Sequence, residues 1–549
     1  MRWVIFLLAF SRAAFSQQLI EGKIIDAETG KPIPFASVSI QGTTKGTSSN
    51  LNGEFSMAVS QPVNLKITCV GYQSVDVKGA ISNPLIKMKP IAAQLNEVVV
   101  FNKAVDPKKI VKKAFASIHQ NYIQQPFIQK FFYRHYCKDD STYGRLIEAF
   151  VDVWKNDGYH KMQIKAGDKE AIRVTQIRRS LDKTTFAQGH EPMAVGNILQ
   201  ADIVAYQTPE RAEHMSFFSD VSNLKTDIDN YSFAFEGVTT YDGQEVYEIS
   251  YCYKKDSALT TSGKYLQWTS ANGTLFITID THAFVKTEDV REFEGNRVHS
   301  TAFYRKHNNS YYTYHLIRQG ESHLSNNSVH SYHIDLTSIE TGTDMKDKFV
   351  GHLPGKEELQ GIPYDSVFWN ANPTLKATPL ENKIINDLGE GLSLNKQFLL
   401  YREYEMNLSQ GGKNGSTKFN WLKEYSKGRR ILYLIFWSSD CRSYLSELEY
   451  AKQLQKRYRN KVNFVFLSLD DDETQWQKTI SKYALYTDGV INYRIGKESD
   501  ILKNFTVKGI PSFVLISREG ECFDESSRHP GNPALEDELN SLLSKTGIK

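Results

Sequence analysis

Cysteine is scarce in this chain, and no two cysteines are close in sequence. Cys69, Cys137, Cys252, Cys441 and Cys522 are the only five in 549 residues, and none forms a Cys-x-x-Cys pair. A disulfide framework needs dense, even-numbered cysteines, so none is expected here. No Cys/His pair has zinc-ligand spacing, so no metal and no cofactor is expected. Charge of one sign is also lacking. A formal net charge of +3 argues against nucleic acid as a partner. Long hydrophobic runs are missing after the first residues, so no membrane span is expected in the rest of the chain. Proline is sparse at 16, whereas Tyr (29) and Phe (30) are abundant. That balance suits β-structure and disfavours long disordered stretches. The length exceeds what one core organises, so about three domains are expected.

The first residues point to export. Arg2 is a short positive region, Trp3 to Phe10 is apolar, and Ala14-Phe15-Ser16 puts small residues at the −3 and −1 positions of a cleavage site. This reads as a signal peptide over 1–16. The apolar run falls short of the ~20 residues that a span requires. No cysteine follows it to carry a lipid. The expected compartment is the periplasm or the outer-envelope face.

Residues 19–100 alternate short strands with polar turns, as in a small β-sandwich. Ile20 to Ile25 runs into the turn Asp26-Ala27-Glu28-Thr29-Gly30. Ala36 to Ile40 alternates, Asn50 to Glu54 turns, and Leu65 to Val70 follows. The run GKIIDAETGKPIPFASVSIQGTTKGTSSNLNGEFSM, with VGYQS and LNEVVV after it, resembles the carboxypeptidase-regulatory-like domain. That family has a seven-stranded transthyretin-like sandwich and occurs at the N-termini of many Bacteroidota envelope proteins. The resemblance implies no catalysis, and Cys69 reads as inert core.

Residues 101–340 change pattern. Asp106-Pro107 predicts an N-cap with Pro at N1. Ile110, Val111, Ala114, Phe115, Ile118 and Tyr122 then recur at helical spacing, opposite Lys108, Lys109, Lys112 and Lys113. A solvated face is the simpler account of those lysines than an acidic partner. From Phe127 the chain reads as antiparallel strands, with hairpin signals at Asp242-Gly243, Asn272-Gly273 and Asn308-Asn309. Ala171 to Ser219 is less regular and is expected to be partly helical and looped. The pattern is similar to the half-barrel of periplasmic lipoprotein carriers, wrapped around one helix. Its concave face would hold either an apolar ligand or a filled core. Most of the twelve histidines here stand singly, and His330 and His333, three apart, would face opposite sides of one strand, so no metal site is expected. Residues 341–415 read as a connector with a short helix from Leu380 to Leu388.

Residues 416–549 alternate helix and strand in an α/β order. LIFWSSDCRSYLSELEY, VFLSLDDDETQWQK and VKGIPSFVLISREGE resemble, in that order, the active-site strand and helix, the second strand, and the cis-proline strand of the thioredoxin superfamily. The resemblance is nearest to the TlpA/ResA-type envelope disulfide reductases and the redoxins. Overall, the fold class is multi-domain: an all-β sandwich, a largely antiparallel α+β sheet, and an α/β thioredoxin-like fold.

Cys441 lies where a strand is expected to meet a helix N-terminus, which stabilises a thiolate. Arg442 adds positive charge, while Asp440 opposes it. The resemblance implies that Cys441 is the attacking cysteine and that Pro511 is the cis-proline beside it. It also implies a resolving cysteine three positions after Cys441, where this chain has Tyr444. Without that thiol a mixed disulfide cannot be cleared from within the motif. Cys522, past the hairpin turn, is expected to be too distant to replace it. His529 lies beyond the same hairpin and no second cysteine is near, so copper is not expected. Two readings remain open. One is an exported envelope protein with, at most, monothiol chemistry at Cys441 on an envelope protein or a small thiol or disulfide. The other is a non-enzymatic envelope scaffold that holds a partner or an apolar ligand.

Overall fold

The computed structural model describes residues 18–545 except 60–62, 80–83, 92–104, 161–169, 182–192, 207–223, 226–227, 255–256, 260–264, 294–295, 324–327, 373–376, 390, 400–418, 420–422, 424–425, 427–429, 442–446, 459–460, 483–490, 506 and 508. The expected signal peptide and the LNEVVV segment lie outside the described residues. The chain divides into two compact units. One comprises residues up to Leu394 without 181–185, and the other comprises 181–185 with Asn395 onward.

The first unit opens with seven strands: β1 (Gln18–Asp26), β2 (Ser37–Ile40), β3 (Gly46–Ser48), β4 (Glu54–Val59), β5 (Leu65–Thr68), β6 (Val75–Val77) and β7 (Leu85–Met88). They pair as two sheets, β4-β1-β7 and β3-β2-β5-β6. Alternate residues Ile20 and Ile24 of β1, Phe55 and Met57 of β4, and Leu65 and Ile67 of β5 fill the space between them. Cys69 packs against this core, and burial pushes its thiol up to about 11. Gly53 sits at φ 72°, and a Cβ there would meet the Ile24 carbonyl at 2.3 Å, so the turn requires glycine.

Helix α1 (Pro107–Ala116) begins as its sequence demands: the Asp106 carboxylate accepts the Lys109 N–H at 3.1 Å. A short α2 (Ile118–Asn121) follows. Eleven strands then form one sheet: β8 (Phe127–Asp139), β9 (Thr142–Lys155), β10 (Glu170–Arg179), β11 (Tyr231–Tyr241), β12 (Gln244–Tyr253), β13 (Ser257–Leu259), β14 (Tyr265–Thr278), β15 (Phe284–Phe293), β16 (Asn296–His307), β17 (Ser310–His323) and β18 (Val329–Gly342). Its order is β10-β9-β8-β18-β17-β16-β15-β14-β12-β11, with β13 on β14. Every named pair is antiparallel. The sheet is open rather than a closed barrel.

Two local expectations are corrected. Residues 170–179 are a strand, not helix and loop. A bulge between Val174 and Gln176 shifts the register, which breaks the alternation by which strands are read. Asn272-Gly273 is not a turn but mid-strand in β14. Glycine is needed there because a Cβ would meet the Glu288 carbonyl at 2.0 Å and the Tyr251 ring at 2.5 Å. Asp242 and Asn309, by contrast, do occupy tight turns, at φ 50° and 65°.

Strand alternation gives the large sheet two faces. On one, the Tyr133 hydroxyl accepts the N–H of Ala194 just before α3 (Val195–Leu199) at 3.1 Å. Buried Asp202 follows, accepting the Tyr304 hydroxyl at 2.8 Å and the Tyr159 hydroxyl at 3.2 Å. The Tyr159 ring in turn packs on Tyr122, after α2. The side chains around the helices are thus core. On the other face, the segment read as a connector contributes α4 (Lys356–Gly361), α5 (Ser366–Ala371) and α6 (Pro379–Gly389). Trp369 of α5 packs on Phe132 and Phe150. Glu381 of α6 accepts from Arg134 at 2.9 Å, and Arg134 also holds Glu148 at 2.7 Å. The sandwich rests on the same sheet: Lys66 pairs with Asp242 at 2.6 Å, and the Gly71 N–H donates to the Thr240 carbonyl at 2.8 Å.

The second unit has a sheet of order β21-β20-β19-β22-β23, built from β19 (Ile431–Trp437), β20 (Val462–Ser468), β21 (Ile491–Arg494), β22 (Ser512–Ile516) and β23 (Cys522–Asp524). The first three run parallel, and β22 and β23 are antiparallel. All seven residues of β19 are buried. Ile431, Tyr433, Ile435 and Trp437 face one core with α7 (Leu448–Arg457), α8 (Glu473–Lys482) and α9 (Ala534–Lys545). Leu432, Leu434 and Phe436 face the other, beside Ile501 and Phe505. Burial on both sides is why this strand is continuously apolar.

Candidate functional site

The site grows from the C-terminal end of β19. After Trp437 the chain turns at once: the Cys441 N–H donates to the Ser438 carbonyl at 3.0 Å. The turn is held from the neighbouring strand. The Leu469 N–H donates to the Trp437 carbonyl at 2.8 Å. The Asp470 carboxylate accepts both the Ser439 N–H and the Ser439 hydroxyl at 3.0 Å, together with the Ser468 hydroxyl at 2.6 Å. Asp470 is buried, so each of these charge-assisted bonds acts in a medium that strengthens it. Asp440 is tethered separately, by the Gln475 amide at 2.8 Å. Asp470 and Gln475 escaped the sequence reading. Their only signal was that an acidic cluster follows the buried strand next to β19, at the carboxyl ends of parallel strands where α/β sheets place their sites.

Cys441 is half-buried and packs against the core that contains Trp437. The Ile510–Pro511 peptide is cis. Pro511 leads into Ser512, which stands opposite Phe436 in the β19–β22 pairing. Cys441 and Pro511 therefore lie at the same end of the sheet. Arg442 and Tyr444 fall outside the described residues, so the path from Cys441 into α7 is described only from Glu447. Glu447 accepts the Gly531 N–H at 2.8 Å and contacts His529 Nδ1 at 2.9 Å.

Cys522 is exposed and pairs with Ile516, itself opposite Leu432. Leu432 and Phe436 are four positions apart, about 13 Å along the strand, beyond the ~7 Å Cα limit for a bridge. Partial burial and the Glu525 and Asp524 carboxylates also push its thiol up. Among the described residues no cluster of His, Cys, Asp and Glu is arranged to hold a metal. His330 and His333 have different partners: His330 Nδ1 meets Asp139 at 2.6 Å, and His333 Nδ1 meets Gln319 at 2.8 Å. No helix among these residues is long and apolar enough to cross a membrane.

Comparison with known proteins matches both ends of the chain. Residues 20–100 fit the family model of the CarboxypepD_reg-like domain. Residues 428–522 fit a thioredoxin-like family model. The chain is 30% identical over 86 residues to the TonB-dependent receptor SusC of Bacteroides thetaiotaomicron, a match covering 16% of this chain and only 7% of the receptor. It is 26% identical over 122 residues to the thiol-disulfide oxidoreductase ResA of Bacillus cereus, covering 22% of this chain and 67% of that protein. A solved thiol-disulfide oxidoreductase from Bacteroides fragilis is 26% identical with a TM-score of 0.19, covering 21% of this chain and 83% of its own. This chain therefore joins a carboxypeptidase-regulatory-like domain near its N-terminus to a C-terminal thioredoxin-like domain with relatives among the thiol-disulfide oxidoreductases.

Proposed function

We propose that this is an exported envelope protein, at the periplasmic or outer-envelope face, in which Cys441 acts as a single nucleophilic thiol. The observation that carries the reading is the placement of Cys441 on a braced turn at the end of β19, at the same end of the sheet as the cis-proline Pro511. The ResA relatives, named thiol-disulfide oxidoreductases, support it, as does the N-terminal pattern from Arg2 to Ser16.

In this reading the Cys441 thiolate attacks one sulfur of a disulfide R–S–S–R. A Cys441–S–S–R bond forms, the R–S–S–R bond breaks, and RS⁻ leaves with the electron pair. Arg442 is the nearest cation in sequence that favours the thiolate. Tyr444 cannot complete the cycle, because a phenol oxygen does not displace sulfur. Release must come from an external thiol. The absence of a resolving cysteine in the motif equally favours the second reading, in which the domain is kept as a scaffold with no redox step.

Treating the purified chain with an aromatic disulfide separates the two. The thiol reading expects one-to-one labelling at Cys441, lost in Cys441→Ser, and no multiple turnover on a protein disulfide unless a small thiol is supplied. An unreactive Cys441 leaves the scaffold reading. Mature protein beginning at Gln17 or Gln18 is expected in the envelope fraction.

A further inference from the structure

The register of β8, β18, β17 and β16 aligns side chains across four strands on one face of the large sheet. Lys138, Ser331, Glu321 and Arg297 form one cross-strand row, and Tyr136, His333, Gln319 and His299 form the next. Both rows line an open cleft of about 420 Å³, with Tyr143 of β9 and Leu380 of α6 also in its wall. That volume suits a small ligand.

The second row is engaged with itself and with its neighbours. The His333 ring stacks on Tyr136 with centroids 5.0 Å apart, and its Nδ1 lies 2.8 Å from the Gln319 amide nitrogen. The first row differs. Among the described residues Lys138 has no carboxylate within ion-pair reach, and its ammonium lies over the Tyr143 ring at 5.9 Å. Glu321 has no cationic partner among them either. Arg297 stands directly opposite, but its Nε is held by Glu292 at 3.1 Å. Among the described residues, a cation and an anion that lack ion-pair partners thus face one cleft two strands apart, about 10 Å between their backbones.

We propose that this cleft binds a short zwitterion, a free amino acid or a peptide of two or three residues, with its carboxylate at Lys138 and the Ser331 hydroxyl and its ammonium at Glu321. A neutral apolar ligand would desolvate both charges with nothing in return. A simple anion would meet the Glu321 carboxylate as well as Lys138. A molecule carrying both charges is complementary to the row as it stands. This site is independent of Cys441.

Calorimetric titration of the full chain at neutral pH and low salt tests the assignment. The probes are glycine, alanyl-alanine and trialanine, with N-acetylated and C-amidated alanyl-alanine as controls. Saturable binding of at least one zwitterion is expected, with each blocked form about tenfold weaker or worse, in line with the loss of one charge-assisted contact. Lys138→Gln should weaken the zwitterion about tenfold yet leave the C-amidated form unchanged, and Glu321→Gln should do the same with respect to the N-acetylated form. No saturable binding by any probe at millimolar concentration overturns the proposal, and so does equal binding of blocked and unblocked peptides. If a variant fails to fold, the blocked peptides on the unaltered chain still decide.

Discussion

The Asp470 carboxylate at the end of β20 accepts the backbone N–H and the hydroxyl of Ser439, each at 3.0 Å, two residues before Cys441. It also takes the Ser468 hydroxyl, so one buried side chain ties the turn before Cys441 to the neighbouring strand. Replacing it with alanine leaves three donors without their acceptor. Asp470→Ala should destabilise the C-terminal unit by about 1–3 kcal/mol and change the alkylation rate of Cys441. Denaturant unfolding and timed alkylation check both. An unchanged midpoint would show that the turn holds its shape without this carboxylate.

Chemistry at Cys441 should be stoichiometric rather than catalytic. Tyr444→Cys restores a thiol three positions after Cys441, the separation at which a two-step exchange runs within one motif. The variant should acquire dithiol-dependent turnover on a protein disulfide, and the double variant Cys441→Ser/Tyr444→Cys should have none. Turnover by the unaltered chain without added thiol would place the resolving group elsewhere.

Asp335 sits between two imidazoles. It contacts His315 Nε2, lies 3.6 Å from His333 Nε2, and accepts the Thr337 hydroxyl at 3.2 Å. Burial opposes its ionisation, but the two histidines outweigh this and hold its carboxyl far below the ordinary carboxylate value. A depressed carboxyl contributes stability that is fully present above the unfolded value of about 4 and is lost as pH falls toward the folded value. Asp335→Asn should therefore cost the first unit about 3 kcal/mol near neutral pH. The gap between variant and parent should narrow as pH falls below about 4. A pH-independent gap would mean that the effect is packing rather than charge.

Gly273 passes within contact of the Glu288 carbonyl and the Tyr251 ring. Gly273→Ala should destabilise the first unit by about 2 kcal/mol or more, because the obstructing atom is backbone and cannot swing away. Gly243→Ala has open space around it but sits at φ 75°, so it should cost about 1 kcal/mol from strain alone. Thermal unfolding of the pair separates steric cost from conformational cost.

Where local chemistry decides structure, the sequence was readable. Asp106-Pro107 predicts the start of α1 because a side-chain acceptor and a missing N–H meet the needs of one helix end. The continuous apolar run from Arg430 to Trp437 predicts a buried strand, and the structure has one over Ile431–Trp437. The turn at Asp242-Gly243 follows from residues that tolerate positive φ. What failed were places where a neighbour far along the chain sets the requirement. The sequence of β10 does not read as a strand, because a bulge between Val174 and Gln176 breaks its alternation. Gly273 reads as a turn residue, because the close approach by Tyr251 and Glu288 leaves no local trace.

The sequence by itself determined the composition of the motif around Cys441. Cys441 is present, a cysteine at position 444 is not, and no fold can supply a thiol that the chain lacks. It also determined the two terminal domain types, because their turn and strand residues are specified locally. Only the tertiary structure decided which distant residues meet. Asp470 braces the turn before Cys441 from 31 residues away. Arg134 joins Glu148 to Glu381, the latter 247 residues away. Lys138 and Glu321 face one cleft through the register of three strands. The physical reason is that strand register is settled by the summed packing of whole faces. Side chains that share a row are therefore neighbours by consequence of the sheet, and nothing in their own sequence surroundings marks them as such.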